Sequence, residues 1–183
     1  HAFPEDIAKS VAEGEVLQLT RAHDLDLSQD TYLEIIKAKT AERRYVALVW
    51  GHFEQNRFTV DAAIARNPFN RLQMKVDPKG KPAVTHFKVL APREGMTVIG
   101  VRLETGRTHQ IRVHASWLAH PVKGDDLYST GAWREGALQL HAAFLSFDHP
   151  VSGERIVVWA EPPHDFIAAD QIALLERLAA HHL

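Results

Sequence analysis

Leu103-Glu-Thr-Gly-Arg-Thr-His-Gln-Ile-Arg-Val-His114 is the densest polar string in the chain, and it reads as a strand end, a glycine turn and a helix start. Helical spacing runs from Thr108 to Leu118, with Thr105 or Thr108 available as N-cap. Thr108, His109 and Arg112 lie three or four positions apart and so share a helix face. Arg112 is flanked by Ile111 and Val113. A guanidinium in that apolar setting demands a carboxylate, because an unpaired buried charge is costly. Amide groups at a helix start, with the donor fork of Arg107 beside them, suit a phosphate.

Working outward, strand patterns surround this string. Ala83–Ala91 and Met96–Glu104 read as a strand pair hinged at Pro92–Gly95, and Tyr45–Trp50 as a buried strand closed by Gly51. Ala137–Phe147 and Arg155–Ala160 follow as two more, joined by the turn-rich segment Asp148–Gly153. Tyr32–Ile36 permits a strand or a helix. Residues 1–14 and Ile167–Leu178 read as helices. Many strands, short turns and few helices predict an α+β fold with a mixed, largely antiparallel central sheet and flanking helices. His120–Tyr128, polar and turn-rich, is expected near the same end of the sheet as the Leu103–His114 string.

At 183 residues the chain can bury a sizeable core without staples. It has no cysteine, which excludes disulfides, thiol nucleophiles and Cys-ligated metal and fits a reducing cytoplasm. A net charge of −2 argues against nucleic acid only on average. The 81 residues from Arg43 to Lys123 hold 14 Lys or Arg against 5 Asp or Glu, a local excess of +9 that makes a plausible phosphate-binding face. No apolar run reaches membrane-span length. His109, His114 and His120 invite a metal hydrolase, but their spacing matches no zinc motif. There is likewise no nucleophile elbow, Walker loop or dinucleotide fingerprint.

The Leu103–His114 string, followed by His120-Pro-Val-x-Gly-Asp125 and Tyr128, resembles the third signature block of the RluA-type pseudouridine synthases. Arg44-Tyr-Val-Ala-Leu-Val-Trp-Gly51 is similar to their second block. Arg71-x-x-Met-Lys-Val76, Gly80-Lys-Pro-Ala-x-Thr85, Leu140-His-Ala142 and Phe147-x-His-Pro150 match in order, so that the likeness covers roughly residues 39–165. The resemblance implies isomerisation of uridine to pseudouridine in rRNA or tRNA, begun by one aspartate without cofactor or metal. It assigns Tyr45 as the platform for a flipped uracil, with a share in the late C5 proton transfer, and Arg112 as the partner of the aspartate. Arg71, Lys75, Lys81, Arg107, Thr108 and His109 become RNA contacts. The expected partner is RNA and the expected setting a cytoplasmic monomer.

The family's first block, His-Arg-Leu-Asp, has its nearest counterpart in His23-Asp-Leu-Asp26, which makes Asp26 the candidate nucleophile. Asp24 stands where the family has arginine, the following Ser-Gly step is missing, and Asp26 is 19 positions from Tyr45, about half the family's spacing. The alternative expectation is that residues 20–40 join segments that are not contiguous in the natural chain. Residues 1–22 form a separate N-terminal segment that faintly resembles the end of an S4-like RNA-binding domain, and residues 23–183 form the catalytic domain. A non-catalytic RNA-binding relic is the rival reading.

Overall fold

The computed structural model describes residues 41–148 and 152–160. Among these residues eight strands, β1 (Glu42–Trp50), β2 (Arg57–Asp61), β3 (Ile64–Arg66), β4 (Met74–Val76), β5 (Val84–Arg93), β6 (Met96–Leu103), β7 (Leu140–Asp148) and β8 (Arg155–Trp159), accompany one α-helix, α1 (Gln110–Trp117), and one turn of 3-10 helix (Gly131–Arg134). Six strands form one sheet in the order β2-β5-β6-β1-β7-β8, and β3 and β4 form a separate hairpin. Every pairing among them is antiparallel, which agrees with the α+β reading and leaves no parallel pair of the expected mixed sheet among the described residues. No helix of the described residues is long and apolar enough to cross a membrane. The expected helices at residues 1–14 and 167–178, the segment Tyr32–Ile36 and the 1–22 boundary lie outside the described residues.

The sheet is organised by β1. Residues Arg44 to Val49 are buried without a break, since the strand has a neighbour on each side and both its faces are covered. Val46 and Val49 are fully buried, each worth roughly 1.5–3 kcal/mol relative to exposure. Alternation divides the strand. Tyr45, Ala47 and Val49 join Phe87, Ile99 and Ile111 in the main core under α1, whereas Val46 and Leu48 join Val98 and Ala143 on the other face.

The β5–β6 hairpin runs further than the sequence suggested. β5 continues through Pro92 to Arg93, and Glu94-Gly95 makes the turn with Gly95 at φ 64°. β2 reaches only Lys88, so Pro92 lies where β5 is an edge and a missing N–H is tolerated. Helix α1 starts two residues later than predicted because His109 adopts a left-handed φ of 55°. It ends in a Schellman arrangement, in which the His120 and Ala119 amides return to the carbonyls of Ala115 and Ser116.

Candidate active site

The Leu103–His114 string divides into a half that ties α1 to the sheet and a half that remains polar. Gln110, 2% exposed, is the hub of the first half. Its Oε1 accepts the Thr105 hydroxyl at 2.8 Å and the Arg107 amide at 3.0 Å, while its Nε2 donates to the Val84 carbonyl and the Thr85 hydroxyl. The Thr85 hydroxyl in turn donates a hydrogen bond to Nδ1 of His114, which is fully buried, and His114 Nε2 donates to the Ala62 carbonyl at 2.9 Å. Burial pushes the His114 pKa down, so both ring nitrogens serve the network in the neutral form. The N-cap expectation is corrected here: neither threonine caps α1 through its side chain, because Thr105 is held by Val84 and Gln110.

The polar half centres on Arg112. Its Nε and Nη2 donate to the two oxygens of Asp125 at 2.8 and 2.6 Å, and Nη2 also reaches Asp126 at 3.2 Å. Asp125 is fully buried and also accepts the amides of Leu127 and Tyr128. This two-point fork holds the guanidinium plane in one orientation. Burial works against the Arg112 charge, but the Asp125 hydrogen bonds and carboxylates outweigh it and the pKa rises. Gly124 makes the approach possible. It sits at φ 74°, and a Cβ there would lie 2.1 Å from the Ala137 carbonyl oxygen.

Tyr128 lies under the same guanidinium, 5.2 Å from ring centroid to Cζ. Its hydroxyl accepts the Met74 amide and donates to His109 Nδ1, both at 2.8 Å. Burial and the nearby Arg112 charge push the His109 pKa down, so its ring accepts this bond while neutral. His120 is held separately by the Trp50 carbonyl at 2.7 Å, so the three histidines have separate partners. Among the described residues no cluster of three His, Asp or Glu side chains is placed to hold a metal.

The other predicted residues are dispersed around this centre. Tyr45 is 7% exposed on the α1 side of the sheet, in the cluster that contains Ile111. Lys75 on β4 pairs with Asp77 at 2.9 Å, and Arg107 Nε donates to the Pro82 carbonyl at 2.8 Å. Arg71 and Lys81 are exposed, and Thr108 is half-buried just before the helix. A groove of about 630 Å³ beside α1 and β4 brings Lys75, Asp126 and Tyr128 together with Trp117 and Arg134; neither Tyr45 nor Arg112 lines it. Asp26 lies outside the described residues. Asp125 and Gln110 stood in the motifs read from the sequence but were given no role there. The available signal for Asp125 was the need of Arg112 for a carboxylate, with Asp125-Asp126 only 13 positions on.

The model of the RNA pseudouridylate synthase family matches residues 21–117, more than half of the chain. The chain belongs to the RNA pseudouridylate synthase family. Members it is similar to include a Bacillus subtilis (strain 168) protein described as an uncharacterized RNA pseudouridine synthase, YjbO. The two are 46% identical over 124 residues, covering 68% of this chain and 44% of the relative. Ribosomal large subunit pseudouridine synthase D of Zymomonas mobilis is 42% identical over 134 residues, covering 67% and 42%. Among solved structures, Human RNA Pseudouridylate Synthase Domain Containing 1 superposes with a TM-score of 0.69 at 27% identity, covering 83% of this chain and 73% of that one. The chain spans about half the length of the relatives it matches. The family's matched region includes Asp26, Tyr45 and Arg112.

Proposed function

We propose that the protein is an RNA pseudouridine synthase that isomerises uridine to pseudouridine in rRNA or tRNA. The reaction breaks the N1–C1′ bond and forms C5–C1′; the C5 proton leaves and N1 gains one. Nothing is oxidised or reduced, so the residues need only expose the base, attack or deprotonate the sugar, and move protons. In this reading Asp26 starts glycosidic cleavage, Tyr45 stacks against the flipped uracil and aids the final proton transfer, and Arg112 positions the aspartate. Arg71, Lys75, Lys81, Arg107, Thr108 and His109 contact the RNA around the target.

The observation that carries the reading is the geometry of Arg112 in a member of this family. Its Nε and Nη2 are committed to Asp125 and Asp126, and Nη1 has no partner among the described residues. A fixed fork with one nitrogen left over can hold a second carboxylate in place. A relative named for large-subunit ribosomal RNA supports rRNA as the first substrate to try. The test is incubation with rRNA and tRNA followed by carbodiimide-dependent reverse-transcription stops. New stops are expected, and their absence on every RNA overturns the proposal. Salt-sensitive RNA binding without new stops, unchanged by Asp26→Ala, would mark the protein as a non-catalytic relic.

A further inference from the structure

Strand alternation places Arg57 and Thr59 of β2, His86 and Lys88 of β5, and Gly100 and Arg102 of β6 on one face of the sheet. They form two cross-strand ranks, Thr59–His86–Arg102 and Arg57–Lys88–Gly100. Phe87, Ile99 and Val101, which alternate with them, pack with Ile111 and Ala115 of α1, so these ranks face away from the helix. Together they line a pocket of about 270 Å³.

The chemistry of this pocket is one-sided. Glu104, the adjacent carboxylate, is engaged by His86 Nε2 at 2.6 Å, and His86 Nδ1 meets the Thr59 hydroxyl at 2.8 Å. Arg57, Lys88 and Arg102 have no ion pair among the described residues. Arg102 Nε is buried and has no hydrogen-bond partner among the described residues. Burial and the Arg57 charge both push the Lys88 pKa down, and no carboxylate among the described residues pairs with either cation. Gly100 contributes no side chain, and the Leu90 side chain borders the space its Cβ would take. An ordinary solvated basic surface does not bury a guanidinium nitrogen away from water without an acceptor.

We propose that this pocket is a phosphate site that takes a phosphodiester of the RNA backbone, on the face of the sheet opposite α1. The inference rests on the RNA-modifying reading for the source of the phosphate. A small pocket that gathers the guanidinium groups of Arg57 and Arg102 and the Lys88 ammonium matches the oxygens of one phosphate. Contact there would hold structured RNA at a point remote from the target uridine, adding affinity and not chemistry.

The test is binding of total rRNA by the wild type and by a Lys88→Gln/Arg102→Gln variant across a salt series, with pseudouridine formation followed in parallel. The variant is expected to bind roughly tenfold more weakly, with its log–log salt slope reduced by about one for each cation removed. Arg57→Gln/Lys88→Gln, which spares the buried nitrogen, serves as the second variant should the first not fold. Unchanged affinity and slope in a folded variant overturn the inference. They leave the function standing if the wild type still makes pseudouridine. Pocket-dependent binding without any pseudouridine formation supports the inference and removes the catalytic reading instead. Inorganic phosphate is the second probe. If it stabilises the wild type and not the variant while rRNA binding is indifferent, the ligand is a free phosphate and the RNA source is overturned.

Discussion

Arg112 and Arg102 belong to opposite sides of the same sheet, and the chain treats them in opposite ways. Arg112 has a fully buried carboxylate fixed 13 residues downstream, aimed by Gly124 and two amides. Arg102 has Glu104 two residues on, but His86 holds that carboxylate, and the buried Arg102 Nε has no partner among the described residues. One arginine therefore has a fixed internal carboxylate, and the other has none among the described residues. An ion pair formed inside the fold costs stability when broken, whereas a cation that awaits a ligand costs little when removed.

The sharpest way to break the contrast is Asp125→Ala. It strands the half-buried Arg112 charge and two amides, and a destabilisation of about 3–5 kcal/mol is expected by urea unfolding. A loss under 1 kcal/mol would place Arg112 with Arg102. Next is Arg112→Lys, which keeps the charge and removes the fork; pseudouridine formation should fall about 100-fold while the fold persists. An activity equal to wild type would show that fork geometry is irrelevant.

A smaller effect follows from three imidazoles, His109 and His114 on the helix side and His141 beside Val46 on the other face. His109, His114 and His141 all have pKa values pushed below the ordinary 6.5, chiefly by burial. The unfolded chain then binds more protons than the folded one as pH falls below 6.5, so stability present at neutral pH is lost on acidification. The melting temperature should be lower at about pH 5.5 than at about pH 7.5, and His114→Gln should weaken that dependence. The smallest effect is expected for Arg102→Met, a change within about 0.5 kcal/mol of wild type, or a slight gain, in the same unfolding assay.

Much of this arrangement was legible in the sequence, and for identifiable reasons. The continuous apolar run at Tyr45–Trp50 could only be a strand covered on both faces, and β1 is that strand. Arg112 between Ile111 and Val113 announced its need for a carboxylate. Which carboxylate was not legible, since Asp125 is aimed by the left-handed Gly124 and by amides two and three residues ahead. The role of Gln110 was likewise not legible, because its partners Val84 and Thr85 come from a strand some 25 residues earlier in the chain. The +9 excess was visible as a sum, but its division between the two faces of the sheet depends on strand register.

The most direct measurement is release of tritium from C5 of uridine in labelled rRNA and tRNA, because forming the C5–C1′ bond must expel that hydrogen. The wild-type protein should release tritium to water, and Arg112→Lys should do so about 100-fold more slowly. No release from any RNA by the folded wild type, or equal release by the two proteins, would contradict a pseudouridine synthase organised around the Arg112 fork.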